Sequence, residues 1–392
     1  MKVLHISSGN LYGGIESMLV TMARHRDECE GLEQEFGLCF EGRVAEELRN
    51  TGARVHLLGA VRLSRPLSVR RARRRLDKIL RYSSFDAVVC HGPWSLAVYG
   101  ATIRGTGVPV VLWAHDAHSG RHWIERLAAF KSPAFVIANS AYSARAAAVW
   151  LPTVPRKVIY CPVANTHALI ARRSRAEVRA ELDTPLDSTV VMLAGRMEAW
   201  KGHSDLLGAL ATTADDARWF CWIAGGPQRD SEFEYAESLV VLASELGISQ
   251  RVRFCGQRQD VPSLLAAADV YCQPNARPEP FGISFVEAMS SGLPVVSTAI
   301  GGALEIVDES CGFLVRPGDR RALARALRQL IDDPALRSRL GRSGQSRAIA
   351  LCSPRGRLAD FAMALVHVAS RAPGSVGAVP AGIANAATET AR

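Results

Sequence analysis

Short apolar segments alternate with amphipathic segments along most of the chain. In the first half, segments of four to six residues predict strands, and the stretches between them repeat their apolar residues at helical spacing. The predicted strands are Val3–Ser7, Glu35–Phe40, Arg54–Leu58, Ala87–His91, Val108–Trp113 and Ala134–Ala138. The predicted helices cover 15–25, 43–50, 68–81 and 140–150. Near-continuous apolar strands separated by helices indicate a parallel sheet that is covered on both faces.

This alternation weakens between residues 152 and 188, where proline recurs and the stretch 171–183 is charged. We interpret this region as a connection between two domains. The alternation then resumes, with predicted strands at Val190–Gly195, Trp219–Ala224, 251–255, 269–272, 294–298 and 312–315. The helices predicted in this half cover 201–213, 231–246, 283–291, 319–331, 333–342 and 354–370.

The sequence therefore predicts an α/β protein with two doubly wound parallel-sheet domains. The N-terminal domain covers 1–165, and the second covers 166–353. Helix 354–371 is expected to cross back onto the first domain. Residues 372–392, rich in Ala, Gly, Pro and Thr, are predicted to form a disordered tail. Since ligands of such sheets bind at the carboxyl ends of the strands, two facing domains would hold a ligand in the cleft between them.

Composition narrows the class of protein. The chain has 392 residues, of which 48% are hydrophobic, and no apolar run approaches the ~18–20 residues of a membrane helix. The apolar stretch near the N-terminus, Val3–Ile6, is too short for a signal peptide. The nine cysteines are scattered, without a C-x-x-C pair, and most lie in apolar surroundings. This pattern indicates reduced thiols in a cytosolic protein, rather than disulfides or a zinc ribbon.

The net charge of +9 is a local feature, because residues 43–81 hold 12 basic and 3 acidic side chains. Within this region, 68–81 has apolar residues at helical spacing and a second face dense with arginine. A solvated outer helix and adsorption to an anionic membrane fit this pattern about equally. Nucleic-acid binding fits least, because no aromatic residues are interleaved for base stacking.

The first pattern with chemical content is Gly195-Arg196 followed by Lys201-Gly202, directly after a predicted strand. Neither common phosphate-binding fingerprint is present. Backbone amides at a helix start nevertheless favour an anion, Arg196 offers a planar donor fork, and Lys201 offers a point charge. Together they suit a diphosphate, although such a pair taken alone is common on protein surfaces.

The second pattern places two glutamates eight residues apart, Glu279 and Glu287, around a predicted helix start. Carboxylates accept hydrogen bonds from pairs of sugar hydroxyls. The free amides of Phe281, Gly282 and Ile283 at the helix start suit an anionic oxygen. A simpler interpretation is an acidic pair favoured by the helix dipole.

Taken in order, these patterns resemble the family 4 retaining glycosyltransferases, which have the GT-B architecture of two Rossmann-like domains. The resemblance covers about residues 1–370 and is specific in combination. The Cys-Pro-Val-Ala at 161–164 departs from the family's Asn-Gly-Val-Asp segment. The residues that carry the resemblance are Gly13-Gly14-Ile-Glu16, Ser140, Gly195-Arg196, Lys201, Gly225-Gly226, the E-x7-E segment 279–287, Ser291-Gly-Leu-Pro-Val-Val and Gly301-Gly302 with Glu305-Ile-Val.

In the second domain the resemblance implies a site for a nucleotide-sugar donor. Arg196 and Lys201 would bind the diphosphate, and Glu287 would hold the ribose. Glu279 would bind hydroxyls of the donor sugar, helped by the amides of Phe281, Gly282 and Ile283. Gly256, in the segment Phe254–Gln257, would line the nucleobase.

In the first domain, His115 in Trp-Ala-His-Asp resembles the family's active-site histidine near the donor sugar. Gly13 and Gly14 would approach the diphosphate. Glu16, His91 and Asp116 are weaker candidates for the acceptor side. His115, Asp116, His118 and His122 also invite a metal-site hypothesis, but their spacing matches no standard zinc site.

The reaction that this resemblance implies is transfer of a sugar to an acceptor hydroxyl with retention of configuration. No D-x-D motif occurs, so we expect no metal or other cofactor, and cations and helix dipoles would stabilise the leaving diphosphate. No side chain is an obvious nucleophile, so a donor phosphate oxygen would deprotonate the acceptor. The expected acceptor is a cell-surface glycan or lipid-linked sugar, met in the cytoplasm or at the inner face of the membrane.

Two alternatives stay open at this point. A non-hydrolysing UDP-sugar epimerase shares the GT-B architecture, although the E-x7-E segment disfavours it. A catalytically inactive scaffold that binds sugar nucleotides is disfavoured by the presence of Arg196, Lys201, Glu279 and His115. The sugar, the base and the acceptor depend on pocket shape, which these motifs do not encode.

Overall fold

The computed structural model describes residues 1–10, 12–164, 173–213 and 218–370. The described chain divides into two compact units, one formed by 1–163 with residues 352–370, the other by residues within 164–351. The sequence had suggested a boundary between residues 165 and 166. The tail predicted at 372–392 lies outside the described residues.

The first unit is built on a seven-stranded parallel sheet with the strand order β3-β2-β1-β4-β5-β6-β7. The order reverses direction between β1 and β4, which is the doubly wound arrangement. The strands are β1 (Lys2–Ser7), β2 (Glu33–Leu38), β3 (Arg54–Leu57), β4 (Ala87–His91), β5 (Val110–Ala114), β6 (Phe135–Ala138) and β7 (Arg156–Val158). The helices of this unit are α1 (Gly14–Arg24), α2 (Arg43–Asn50), α3 (Pro66–Tyr82), α4 (Gly92–Arg104), α5 (Trp123–Ala129), α6 (Ala141–Trp150) and, from the end of the chain, α15 (Pro354–Ala369).

The two faces of this sheet differ in chemistry, because side chains alternate along each strand. Leu4, Val88 and Leu112 belong to an apolar core that includes Leu76 of α3. The opposite face carries the histidines of β1 and β4 and the tryptophan of β5, and Phe361 of α15 packs on that face. A buried polar cluster therefore lies under one helix layer of the first unit.

The second unit holds a six-stranded sheet with the order β10-β9-β8-β11-β12-β13, which is doubly wound in the same way. Every strand pair in both sheets is parallel. The strands are β8 (Thr189–Ala194), β9 (Trp219–Ala224), β10 (Val252–Gly256), β11 (Val270–Gln273), β12 (Val295–Thr298) and β13 (Gly312–Val315). The helices are α7 (Arg175–Glu181), α8 (His203–Ala211), α9 (Asp230–Glu245), α10 (Val261–Ala267), α11 (Ile283–Ser290), α12 (Ala303–Ile306), α13 (Arg320–Asp332) and α14 (Pro334–Cys352).

Some predicted elements were wrong in extent. The region 152–188 contains β7 and α7, because its prolines fall between these elements rather than within them. The helix predicted at 333–342 continues to Cys352 as α14 despite two glycines. Gly341 gives this helix a close approach, since a Cβ there would lie 2.0 Å from the carbonyl oxygen of Gly292. The sequence also missed α4, whose buried residues, among them Leu96 and Tyr99, weaken the amphipathic signal.

The cysteines and the helices bear on two predictions made from composition. All nine cysteines are free thiols, and eight of them are buried, the exception being Cys255. Within the parts of the chain that the structure describes, no helix combines the length and apolar character that a membrane span requires.

Candidate active site

The polar residues singled out in the second unit collect at the carboxyl ends of its strands. Gly195 follows β8, Gly225 follows β9, and Gln273 ends β11. The strand order reverses between β8 and β11, and this is the point at which doubly wound sheets bind ligands. The sequence-predicted residues Arg196 and Glu279 lie on loops at this edge, and Lys201 ends a short 3-10 helix between β8 and α8.

Gln273 organises the loop that follows β11, and sequence reasoning missed it. Its Oε1 accepts a hydrogen bond from Ser284 Oγ at 3.2 Å and lies 2.9 Å from the Tyr271 hydroxyl. Its Nε2 donates to Asn275 Oδ1 at 2.9 Å and to Glu279 Oε2 at 3.2 Å. A fully buried glutamine in the last position of an apolar strand was the available signal, because such a group needs polar partners.

Lys201 and Glu279 form a direct ion pair. The Lys201 ammonium donates to Glu279 Oε2 at 2.5 Å and lies 4.1 Å from the centre of the Trp200 ring. The Ala276 amide donates to the Trp200 carbonyl at 2.8 Å, so the two loops that carry this pair are bonded to each other. The sequence-predicted cation and the first predicted glutamate are therefore one structural unit.

The backbone of Glu279 is fixed by the Gly301-Gly302 motif. Gly302 N–H donates to the Glu279 carbonyl at 2.7 Å. Gly301 has φ of +64°, and a Cβ on it would lie 2.4 Å from the Glu279 carbonyl oxygen. Only glycine allows this approach, so the motif positions the loop that bears the carboxylate.

Arg196 lies between two carboxylates that sequence reasoning did not identify. Its guanidinium pairs with Glu232, in the first turn of α9, and lies 3.2 Å from Glu198. Burial opposes ionisation of Glu232, but hydrogen bonds from Arg196 and from the Gln228 amide outweigh it and hold its pKa below the usual value. Both cations of the predicted diphosphate site are thus matched by carboxylates in this structure.

The start of α11 brings together the remaining predicted residues of this unit. Gly282 caps the helix in the left-handed region, with φ of +97°, between Phe281, which is buried, and Ile283, which is partly buried. Glu287 follows one turn later, and burial raises the pKa of its carboxyl to about 7. Gly256 lies at the end of β10, where its carbonyl accepts from the Gly225 amide at 2.9 Å.

In the first unit, His115 belongs to a chain of three buried histidines. His115 Nε2 lies 2.8 Å from His91 Nδ1, and His91 Nε2 lies 3.0 Å from His5 Nδ1. The rings stack with one another and with Trp113 and Phe361 at centroid distances of 5.1 to 5.6 Å. Both nitrogens of His91 are therefore engaged, which leaves neither of them for an acceptor.

Burial keeps these imidazoles neutral. It lowers the pKa of His5 to about 3 and that of His115 to about 3, and it lowers the pKa of His91 well below its usual value. Close neighbours of the same potential charge, His118 beside His115 and His115 beside His91, act in the same direction.

The other first-unit candidates make local contacts. Gly13 precedes α1, which begins at Gly14, and the buried Glu16 accepts from the Gly13 amide at 3.1 Å, with its pKa raised by burial. Asp116 accepts from the Ala117 amide at 2.7 Å. Over the described ranges, no group of three or more His, Cys, Asp or Glu residues is arranged to hold a metal ion. His118 and His122, two members of the metal hypothesis, instead contact Glu125 and the start of α5.

Comparison with known families shows the class of protein to which these two units belong. The model of Glycosyltransferase Family 4 matches residues 12–165, and the model of Glycosyl transferases group 1 matches residues 174–347. The chain belongs to the family 4 glycosyltransferases, and its fold is GT-B, as the sequence predicted.

Individual relatives extend this picture. The lipopolysaccharide core biosynthesis glycosyltransferase LpsD of Rhizobium meliloti is 30% identical over 352 residues, 88% of this chain and 92% of LpsD. LpsE of the same organism is 37% identical over 172 residues, 44% of this chain, and the match spans about half of LpsE, 48%. The crystal structure of Anabaena Alr3699/HepE in complex with UDP-glucose has a TM-score of 0.80 and 26% identity, covering 94% of this chain and all of that one.

Proposed function

We propose that this enzyme transfers a sugar from a nucleotide-sugar donor to an acceptor hydroxyl with retention of configuration. The observation that carries the proposal is the cluster of Arg196, Lys201 and Glu279 at the reversal point of the second sheet. A solved structure of similar fold holds UDP-glucose, which supports a nucleotide-sugar as the ligand class and makes UDP-hexoses the first donors to test.

The cluster suits a diphosphate that replaces carboxylates as the partner of the cations. Arg196 and Lys201 would turn from Glu232 and Glu279 to the phosphate oxygens, since charge-assisted bonds of this kind are interchangeable in geometry. Glu279, released from Lys201, would then accept from hydroxyls of the donor sugar. The amides around Gly282 would meet anionic oxygen at the start of α11.

The remaining roles follow the family resemblance. Glu287 would bind the ribose, the strand end at Gly256 would line the base, and Gly13-Gly14 would approach the diphosphate. His115 would contact the donor sugar. The two cations and the helix start would stabilise the departing diphosphate, and we propose that no metal is required for that step.

Names of relatives support a context in surface-glycan synthesis. LpsD and LpsE are both named for lipopolysaccharide core biosynthesis. We therefore propose an oligosaccharide or lipid-linked core sugar as the acceptor.

A lipid-linked acceptor would lie at the membrane surface, where the basic helix α3 could bind. The helix buries Ala72, Leu76 and Leu80, while Arg70 and Arg74 line a groove of about 740 Å³ beside it. Leu67 and Tyr82, at the two ends of the helix, are 66% and 82% exposed. Cations beside exposed apolar side chains favour adsorption to anionic lipid, and we propose that α3 docks there.

A thermal-shift panel of UDP-, GDP- and ADP-sugars on the full chain tests donor binding. A ligand that binds only the native state stabilises it by ~2.7 kcal/mol at a hundred times its Kd, so the preferred donor should raise the melting temperature most. If no sugar nucleotide shifts the transition, the donor site is contradicted.

Turnover assays then separate the reaction classes. We expect the selected donor to be consumed only when a core oligosaccharide is present, and the product anomer to match the donor anomer by NMR. Conversion of the donor without acceptor would indicate an epimerase. Binding without turnover over a wide acceptor panel would indicate a scaffold.

Vesicle co-sedimentation tests the membrane proposal. Replacing Arg70, Arg71 and Arg74 by Gln should abolish binding to anionic vesicles, because these side chains are exposed. Arg73 and Arg75 are left unchanged, since they donate to the carbonyls of Val98 and Leu58. Equal partitioning of the wild-type protein to neutral and anionic vesicles would overturn the proposal.

A further inference from the structure

One carboxylate oxygen of Glu279, Oε2, accepts hydrogen bonds from two donors of different kinds. The first is the Lys201 ammonium at 2.5 Å, which ends a long side chain with four rotatable bonds. The second is the side-chain amide nitrogen of Gln273 at 3.2 Å, and Gln273 is fully buried. In the proposed function Lys201 turns to the diphosphate when the donor binds. Of these two donors, only the Gln273 amide then stays on Glu279 Oε2.

The orientation of the Gln273 amide follows from what its neighbours can donate or accept. An ammonium only donates, so the Glu279 oxygen that meets Lys201 is an acceptor. The Gln273 atom that faces the same oxygen must therefore be the nitrogen, because a reversed amide would place two acceptors together. The Gln273 oxygen then faces Ser284 Oγ at 3.2 Å, from which it accepts a proton.

The rest of the Gln273 residue is anchored to the elements around it. Its second amide N–H donates to Asn275 Oδ1 at 2.9 Å, and its oxygen bonds Ser284 in the first turn of α11. Its backbone carbonyl accepts from Ser297 Oγ of β12 at 2.9 Å. In the proposed function none of these groups binds the donor. The amide should therefore keep its place when Lys201 changes partner.

The other carboxylate oxygen of Glu279, Oε1, is the one available to a ligand. Among the residues that the structure describes, both hydrogen bonds to this carboxylate end on Oε2, and the side chain is 14% exposed. The Glu279 backbone is held separately, since its carbonyl accepts from the Gly302 amide at 2.7 Å. A carboxylate fixed at its backbone and at Oε2 presents Oε1 in one direction.

We propose that Gln273 is a positioning residue that holds Glu279 Oε2 after Lys201 has turned to the diphosphate, and so keeps Oε1 directed at a hydroxyl of the donor sugar. The inference rests on the proposed function for the roles of Lys201 and Glu279, whereas the hydrogen bond itself can be measured without any ligand. A residue with this role affects binding of the sugar and leaves binding of the nucleotide unchanged.

Two substitutions separate this role from general support of the loop. Gln273→Met keeps the length of the side chain and removes both amide N–H groups. Ser297→Ala is the matched control, because it removes a hydrogen bond to the backbone carbonyl of the same glutamine from an equally buried position. Only the first substitution removes a bond to Glu279. Circular dichroism and melting temperature show whether each variant is folded.

Nitrogen-15 NMR of the full-length protein measures the hydrogen bond in the absence of ligand. The side-chain amide signal that is missing in Gln273→Met belongs to Gln273. Glu279→Ala should move one of its two proton signals upfield, because a bond to a carboxylate is lost, and Ser297→Ala should change both far less. Lys201→Ala mimics departure of the ammonium and should keep that proton downfield. The last two variants retain Gln273, so this test stands even where Gln273→Met is poorly folded.

Calorimetry with UDP and with UDP-glucose measures the consequence for binding. Gln273→Met should raise the Kd for UDP-glucose about tenfold, the effect of one misplaced hydrogen bond to a charged group, while the Kd for UDP stays within twofold. In a Glu279→Ala background the same substitution should change the Kd for UDP-glucose less than twofold, because the group that it positions is gone. Ser297→Ala should leave both Kd values within twofold of the wild type.

A Gln273 amide signal that does not respond to Glu279→Ala overturns the inference, and so does loss of the downfield proton in Lys201→Ala. Equal weakening of UDP and UDP-glucose in folded Gln273→Met would assign Gln273 to support of the loop instead. Additive effects of Gln273→Met and Glu279→Ala would also overturn it. If Glu279→Ala leaves the Kd for UDP-glucose unchanged, the proposed role of Glu279 is contradicted, a failure that the NMR result distinguishes from absence of the hydrogen bond.

Discussion

The two units place polar groups at their sheet edges in opposite ways. The first unit buries three neutral imidazoles in a stack of aromatic rings, with nitrogens shared between neighbours. The second pairs Lys201 and Arg196 with carboxylates, and these two side chains are 14% and 23% exposed. The choice of partners follows from the cost of burial, because an isolated charge is far more costly to bury than a neutral hydrogen-bonding ring.

The two sheet edges therefore suit different tasks. In the first unit, the buried imidazoles bond to one another, so their hydrogen-bond partners are fixed. In the second unit, the ion pairs hold Arg196 and Lys201 in place but leave both cations able to change partner. Such an arrangement suits a site that takes up and releases an anion. The ion pair of Arg179 and Asp269, also in the second unit, differs from these pairs because it is fixed in place. Arg179 is fully buried and also bonds four carbonyls, so it is a structural residue.

The largest expected effect on activity comes from Glu279→Gln, which tests the charged edge. In the proposed function the Glu279 carboxylate accepts from hydroxyls of the donor sugar, so we expect its loss to lower kcat by about a hundredfold. The Kd for UDP should change less than threefold, because UDP lacks the sugar. Steady-state kinetics and calorimetry measure the two quantities. Glu309→Gln, on an exposed carboxylate of the same unit, is the matched control, and an equal loss there would contradict the assignment.

Phe361→Ala tests the aromatic stack around His5, His91 and His115, the histidine edge of the first unit. Phe361 is fully buried against Trp113 and His5, so the cavity should lower the free energy of unfolding by ~3–5 kcal/mol. Chemical denaturation of the first unit measures this loss. Phe130→Ala, at a ring that is 83% exposed, should change the value by less than ~0.5 kcal/mol. A small effect at Phe361 would show that α15 contributes little to the edge.

Acid should destabilise the histidine edge. The unfolded histidines take up protons as the pH falls below about 6.5, whereas folded His5 and His115 resist protonation until about pH 3. Stability contributed by the neutral rings is therefore present above pH 6.5 and is lost as the pH falls toward 3. Each histidine lowers the free energy of unfolding by up to ~1.4 kcal/mol for each pH unit. His5→Phe should reduce this slope in urea unfolding between pH 6.5 and pH 4. An identical slope would contradict the burial argument.

Glu287 should show a smaller effect of the opposite sign. Its folded pKa of about 7 lies above the usual value of 4.5, so the folded state holds more protons than the unfolded state between these limits. The contribution of Glu287 to stability therefore falls as the pH rises from 4.5 to 7. Glu287→Gln should remove that part of the slope, and its stability relative to the wild type should be highest above pH 7. A relative stability that falls with rising pH would contradict the shift.

The sequence predicted the fold and the charged residues at the sheet edge of the second unit, but it did not predict the residues that contact them. Apolar runs such as Trp219–Ala224 match β9 residue for residue, because a strand buried on both faces has an unmistakable composition. Arg196, Lys201 and Glu279 stand in recognisable motifs. Glu232 and Gln273 do not, since Glu232 meets Arg196 across 36 residues of chain, and Gln273 stands at the end of an apolar strand outside any motif.

In the first unit, the sequence likewise predicted single residues but not the contacts between them. His91 and His115 were each predicted to lie at a strand end, but His5 drew no notice within an apolar strand. Their contact depends on the order β1-β4-β5 in the sheet, which follows from the topology and not from position in the chain. The separate predictions for Glu16 and Asp116 as acceptor residues stay predictions.

Calorimetric titration of UDP into the wild type, Lys201→Ala, Arg196→Ala and Arg218→Ala tests whether the two cations bind the diphosphate. Arg218 is the matched control, an arginine of the same unit that is 81% exposed and pairs with Asp187. We expect Lys201→Ala and Arg196→Ala each to weaken UDP binding at least tenfold, because each would remove a proposed charge-assisted contact to the diphosphate, and we expect Arg218→Ala to bind as the wild type does. Equal affinity in all four proteins would contradict this expectation.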